Sequence, residues 1–466
     1  MMRGKELVLA AINRECADPF PWVPFCGVHC ASLLGKSAAA YLHSSDLMLA
    51  GMRQAISDYD PDGLPVIFDL QLEAEVLGCQ LHWAVDNPPS VCSHPLQNHL
   101  SGLSDLVLPQ SSAGRFPVLL PVIRELRRLY PDLALYGLCT GPLTLALHLL
   151  GSDIFLQMYD DPAYVEELLR FTGSCACRVS SWYLECGCDL IAVVDPMTSQ
   201  IAPEQFQRFC SPILRSTFDY IRQQGAKSSF FVCGHAQKNL PLMCASGCDH
   251  ISVDENIPLA YLRELCQARQ LSFGGNLPLT TGLLLGDEQT NMINTIKCLQ
   301  LVAGDPGFIL APGCDLPYAT PPKNLQVVAQ VLRDPEKRRI AQQMAQNPPL
   351  ETIPKIDLSA YIEADKVKVA VLTLDSRGCA PCQYMLAAAE AAAAVFPGQV
   401  EVQEYTIKTQ EGIQMMASLG VSNIPSICID RDVRFVSEIP DQPTFVEVLR
   451  QKLSQKRQAG QSGVRL

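Results

Sequence analysis

Residues 228–239 read SSFFVCGHAQKN: an apolar, strand-like run that ends on Cys233, turns at Gly234 and presents His235. A thiol and an imidazole two residues apart at the end of a buried strand suit a metal site, a catalytic base or an ordinary core cysteine. The surrounding pattern identifies the sheet that carries them. Seven further runs share the form: WVPFCG (22–27), LPVIFD (64–69), LALYGL (133–138), LIAVVD (190–195), HISVD (250–254), LSFGGN (271–276) and GFILAP (307–312). Between most of them lie helical patterns such as DPAYVEELLRFTGSCACRVSSWYLECG, which opens on Asp161 as N-cap and closes at Gly187. Strands that alternate with helices build a parallel sheet, because parallel neighbours need a long crossover. Eight such units between residues 22 and 312 predict an α/β fold, a (β/α)8 TIM barrel rather than an open doubly wound sheet.

In that fold the chemistry stands at the C-terminal strand ends. Those ends are Cys26, Asp69, Asp195, Cys233, Asp254 and Asn276, with Cys314 just past the last run. Asp69 is a candidate catalytic residue, because an acid buried at a strand end is costly without a partner. Asp195 either orients substrate or caps the next helix. His29, after the first run, either lines the cavity or is a hydrogen-bonded loop residue. Cys186 and Cys188 fall on the opposite face and read as structural, as do Cys244 and Cys248.

Composition limits the function. A chain of 466 residues is too long for one ordinary core. Its 48% hydrophobic and 18% charged content describes a globular interior. A net charge of −12 argues against nucleic acid or an anionic membrane as the main partner. The N-terminal segment MMRGKELVLAAINRECADPF reads as a short amphipathic helix rather than a signal peptide, and no apolar run reaches spanning length. Twenty cysteines diluted over such a chain imply reduced thiols in a cytoplasmic protein.

The expected organisation is a first domain over 1–340, a charged and proline-containing linker over 341–363, a second domain over 364–455 and a flexible tail over 456–466. The second domain reads β-α-β-α-β-β-α. Its Cys379-Ala-Pro-Cys382 stands where a loop opens a helix. The helix dipole favours the thiolate of the first cysteine, and the second is placed to resolve a mixed disulfide. A zinc knuckle would need a second CxxC, which this segment lacks. The unit resembles thioredoxin in strand order, CxxC position and Ile424-Pro425 before the strand SICID, which makes Pro425 the expected cis-proline. Gly378 replaces thioredoxin's tryptophan, and Ala-Pro replaces its Gly-Pro.

The first domain resembles the uroporphyrinogen decarboxylase-like superfamily. The matching pieces, in order, are DGLPVIFDLQLEAEVLGCQL (62–81), TGPLTLALHLLG (140–151), GCDLIAVVDP (187–196), FFVCGHAQKNLPLMCASGCDHISVDE (230–255), GGNLP (274–278) and FILAPGCDLPYATPPKNL (308–325). The zinc-dependent methylcobamide:coenzyme M methyltransferase branch looks closer than the decarboxylases. It holds zinc by a His-x-Cys after the fifth strand and a Gly-Cys loop after the eighth, positions matched here by Cys233 and Cys314. Phe231 stands where the first histidine is expected, so His235, Glu255 or Asp254 would have to complete the ligands. The resemblance implies methyl transfer between a methylated corrinoid on a separate carrier protein and a small-molecule thiol or related acceptor. Asp-x-His-x-x-Gly, a cobalamin-binding motif, is absent from the chain. His29, Asp195, Asp254, Asn276 and Tyr318 are the residues expected to bind substrate. The CxxC would keep Cys233 and Cys314 reduced or handle a sulfur-containing product.

A decarboxylase acting on a porphyrinogen is the alternative, with Asp69 as its essential acid. Such an enzyme needs arginines in its early loops to offset the substrate carboxylates. The stretch FPWVPFCGVHCASLLGKS contains none, and Gly313-Cys314 replaces the decarboxylase's late histidine. A third reading is a non-catalytic corrinoid- or tetrapyrrole-binding redox partner.

Overall fold

The computed structural model describes residues 2–15, 18–97, 102–346, 356–362, 366–376 and 380–462. Two compact units, Met1–Pro349 and Leu350–Leu466, divide the chain.

The first unit is α/β, built on a seven-stranded parallel sheet. Its strands are β1 (Gly63–Pro65), β2 (Ala134–Thr140), β3 (Leu190–Val194), β4 (Lys227–Val232), β5 (His250–Val253), β6 (Ser272–Leu277) and β7 (Phe308–Pro312). They lie in sequence order, each parallel to the next. The run 22–27, expected to be a strand, contributes only a bridge from Trp22 to Leu310. That bridge nevertheless touches both sheet edges. The Val23 N–H donates to the Leu310 carbonyl at 3.0 Å, and the Asp62 N–H to the Trp22 carbonyl at 2.8 Å. Pro21 and Pro24 flank the segment and have no N–H to give, which keeps it from extending into a ladder. The arrangement is TIM-like.

These strands are buried on both faces, and alternate residues share one side. Tyr136 and Leu138, Ala192 and Val194, Ile309 and Ala311 point to one core with Val23, Phe25, Phe68 and Phe231. LPVIFD keeps its strand only through Pro65, so Asp69 lies in the loop beyond β1 and not at a strand end.

In the second unit, β8 (Val367–Thr373), β9 (Val400–Thr406), β10 (Ser426–Ile429) and β11 (Asp432–Val436) form a sheet ordered β9-β8-β10-β11. β8 and β9 are parallel, and the other two pairings are antiparallel. Helices Ala380–Ala393, Gln410–Leu419 and Gln442–Ser462 complete the β-α-β-α-β-β-α order. Val369, Val371, Met385, Ile427, Ile429 and Phe445 share its core. The Ile424–Pro425 peptide is cis. Cys382 is buried and disulfide-bonded, whereas Cys379 lies outside the described residues. Two expected boundaries differ. Helix Pro335–Gln346 runs across residue 340, and the final helix continues to Ser462 where a flexible tail was expected from 456. Among the described residues no helix is long and apolar enough to cross a membrane.

Candidate active site at the C-terminal strand ends

β4 ends at Val232 and hands Cys233 to the following loop, while β7 ends at Pro312 and delivers Cys314 after one glycine. Eighty-one residues apart in sequence, their sulfurs lie 3.3 Å apart. Gly234 turns the chain with φ +86° and donates its N–H to Asp254 Oδ2 at 2.7 Å. Gly313 sits at a close approach: a Cβ there would stand 2.0 Å from Glu255 Oε2, which would have to shift, and 3.2 Å from Asp254 Cα. The Cys314 loop is stitched down by Gly313 N–H to the Leu277 carbonyl (2.9 Å), Leu316 N–H to the Phe25 carbonyl (2.9 Å) and Gly27 N–H to Asp315 Oδ1 (2.8 Å).

The thiol pair sits in an acidic environment. The hydrogen bond with Cys314, then burial, then the charges of Cys314, Asp254 and Glu255 push the Cys233 thiol well above its usual range. Burial, with help from Glu255, raises Asp254 to about 7, and burial raises Glu255 as well. Among the described residues neither carboxylate is ion-paired. Each of these groups would be eased by a cation.

The expected ligand set is only partly assembled. Among the described residues no three His, Cys, Asp or Glu side chains are arranged to hold a metal ion, so His235 and Glu255 do not complete a group with the two thiols. Glu255 is engaged elsewhere, accepting from the Leu279 N–H at 2.7 Å. After the turn at Gly234 the chain runs from His235 straight into the helical turn Ala236–Lys238. Phe231 gives no ligand at all. It packs edge-on against Phe25 and Phe68, with ring centroids 5.2 and 5.8 Å away.

Several other candidates are structural in place. Asp195 accepts from Leu143 N (3.0 Å), Thr144 N (2.8 Å) and Thr144 Oγ1 (2.6 Å), so it caps the preceding helix Pro142–Leu150 rather than the next one. His29 is fully buried, with Nε2 2.7 Å from the Tyr59 hydroxyl and Nδ1 3.3 Å from the Tyr318 carbonyl. Burial lowers its pKa to about 4, so the ring is neutral at pH 7. The Tyr318 hydroxyl donates to the Lys36 carbonyl at 2.8 Å. The Asn276 amide donates to the carbonyls of Asp254 (3.1 Å) and Ile257 (2.8 Å), which holds the loop bearing Asp254 and Glu255.

Asp69 has the partner its burial demands, from a residue that sequence reasoning missed. Arg115, just before helix Phe116–Leu129, places Nη1 2.5 Å from Asp69 Oδ2 and Nε 2.7 Å from Glu75 Oε2. Its guanidinium also lies 4.9 Å from the Trp83 ring centroid. The cost of a buried acid implied a cation without saying where in the chain it stood.

Glu73 was also missed. It is buried and accepts from Thr140 N at 3.0 Å and Thr140 Oγ1 at 2.7 Å, tying the loop after β1 to the end of β2. Burial raises its pKa to about 7 against an ordinary 4.5. A raised folded pKa means the folded state binds the proton more tightly. The associated stability is present below pH 4.5 and is lost as pH rises through about 7. Glu73→Gln is expected to remove a loss on the order of 3 kcal/mol across that window. Urea unfolding of both proteins at several pH values checks this; parallel pH profiles would overturn it.

A family model described as uroporphyrinogen decarboxylase (URO-D) matches residues 3–334. The methylcobamide:CoM methyltransferase MtaA of Methanosarcina barkeri is 27% identical over 337 residues, covering 70% of this chain and 96% of that protein. A uroporphyrinogen decarboxylase of Thermus thermophilus is 26% identical over 259 residues, 54% of this chain and 73% of that protein. Among solved structures, a methyltransferase from Methanosarcina mazei covers 70% of this chain and 97% of its own, with TM-score 0.65 and 23% identity, a likeness of fold.

Proposed function

Because the chain belongs to the uroporphyrinogen decarboxylase family, we propose that its first unit is a closed (β/α)8 barrel that transfers a methyl group between a methylated corrinoid and a thiol or related acceptor. The corrinoid would arrive on a separate carrier protein in the cytoplasm. The observation that carries this reading is the Cys233–Cys314 pair, 3.3 Å apart at the strand ends. Similarity to methylcobamide:CoM methyltransferases over 96–97% of their length and 70–71% of this chain supports it.

The donor chemistry fits zinc. Two thiols meet beside two carboxylates that have no ion-pair partner among the described residues, and Glu255 Oε2 lies against the Cys314 loop. Cys233 and Cys314 would hold the ion, and Glu255 or His235, neither of which completes the group where it stands, would have to move in as a further ligand. When bound, zinc supplies the positive charge that lets a coordinated acceptor thiol ionise at neutral pH. The remaining work falls to the chain. Asn276 and the Leu279 amide hold the loop and carboxylate of Glu255, Gly27 and Phe25 hold the Cys314 loop, and the apolar wedge of Phe231, Phe25 and Phe68 excludes water from beneath the thiols. The second unit is assigned as a thioredoxin-like redox domain built on Cys379 and Cys382.

The decarboxylase reading loses ground on Asp69. Its Oδ2 is taken by Arg115 and its Oδ1 accepts from Gln71 N at 2.9 Å. Arg115 is itself shared between two acids, so it offers no surplus charge to a polycarboxylate.

Incubation with methylcobalamin and 2-mercaptoethanesulfonate is expected to demethylate the corrinoid, visible in its absorption spectrum, and to yield the S-methyl product. Elemental analysis should find about one zinc per chain. A metal-free protein that leaves methylcobalamin intact but releases carbon dioxide from a uroporphyrinogen would establish the decarboxylase instead.

A further inference from the structure

We propose that Cys233 and Cys314 form a reversible disulfide that closes the thiol site and that a dithiol reductant reopens it. The inference uses the two thiols on which the methyl-transfer reading rests, but its readout is a peptide mass and does not depend on that activity.

Geometry singles out this pair. A disulfide needs its sulfurs about 2.05 Å apart, so the observed 3.3 Å leaves about 1.2 Å to close. Both side chains leave strand ends next to a glycine, Gly234 after one and Gly313 before the other, where local adjustment is least restricted. Access matters equally. Among the described free cysteines, only Cys92, Cys177, Cys233 and Cys314 are not buried, and of these four Cys233 and Cys314 are the two in contact. Cys26 lies near Cys30, and Cys244 near Cys266, but both pairs are buried, which makes them inert. In a reducing compartment an accessible dithiol of this kind is a transient, regulatory disulfide rather than a structural one.

In the reducing direction, a thiolate of the dithiol reductant attacks one sulfur of the Cys233–Cys314 bond and forms a mixed disulfide. The second thiol of the reductant then attacks, which releases both site thiols and leaves the reductant as its own disulfide. Two electrons and two protons pass from one dithiol to the other, and no further oxidant or reductant enters the step. The disulfide occupies both sulfurs, so neither can ligate a metal until it is reduced.

The test uses the full chain, stripped of metal by a chelator. After equilibration in mixtures of reduced and oxidised dithiothreitol, free thiols are alkylated and the digest is analysed by mass spectrometry. The expected result is a linked Cys233–Cys314 peptide that appears as the mixture becomes oxidising and disappears on return. Absence of the linked peptide in fully oxidised dithiothreitol overturns the proposal.

Discussion

Cys314→Ser is expected to lower thiol methylation by about a thousandfold or more and to strip the chain of zinc while leaving its fold intact. Loss of an outer partner of a metal site already costs about 10- to 100-fold, and a direct sulfur ligand contributes more. The fold should survive because the bonds that hold this loop do not use the sulfur. Gly313, Asp315 and Leu316 are tied to Leu277, Gly27 and Phe25 by backbone and carboxylate contacts of 2.8–2.9 Å. Serine occupies nearly the same volume at a half-buried position. Elemental analysis, corrinoid demethylation and the thermal midpoint, read on the same preparation, give the check. Retained activity with full zinc content would remove Cys314 from the site. An equal fall in activity and in thermal midpoint would show the residue to be structural only.

Arg115→Met should destabilise the first unit by about 3–5 kcal/mol, the usual cost of breaking a buried ion pair from one side. The arginine side chain is 4% exposed and Asp69 is 0% exposed, so the substitution takes the cation away from a carboxylate where water cannot reach it. Glu75 is 26% exposed and turns to solvent at lower cost. Forming the pair is far less favourable than breaking it is harmful. Arg115 Nη2 is buried without a hydrogen-bond partner among the described residues, so part of its desolvation is uncompensated. The double variant Arg115→Met/Asp69→Asn should therefore recover most of the lost stability, because no buried charge remains. Urea unfolding of the three proteins separates the effects. A single-variant cost below about 1 kcal/mol would mean that Asp69 finds another partner.

The differences between sequence reading and structure have specific causes. Seven of the eight apolar runs are strands, because alternation and crossover length report directly on a parallel sheet. The eighth, WVPFCG, shrinks to one bridge, because prolines on either side of Trp22 and Val23 remove the amides that a ladder needs. Asp69 was placed at a strand end because LPVIFD is apolar throughout, yet the ladder stops at Pro65. The pairing of Cys233 with Cys314 was legible as two strand-end thiols in one fold. The roles of Asp195 and His29 were not, since each had a structural and a functional reading that spacing does not distinguish.

The sequence by itself determined the parallel order of the first unit, the β-α-β-α-β-β-α order of the second and the strands that end on thiols. Those features depend on local periodicity and on where the chain turns, and both are written in neighbouring residues. Tertiary structure decided which loops meet. Asp195 reaches back 52 residues to cap a helix, Asp69 finds Arg115 46 residues away, and Asp315 holds Gly27 across 288. A buried polar group must be paired, and which partner it finds depends on which loops the sheet brings together and not on residues nearby in sequence. The same packing leaves Phe231 as an aromatic wedge beside the two sulfurs instead of a third ligand between them.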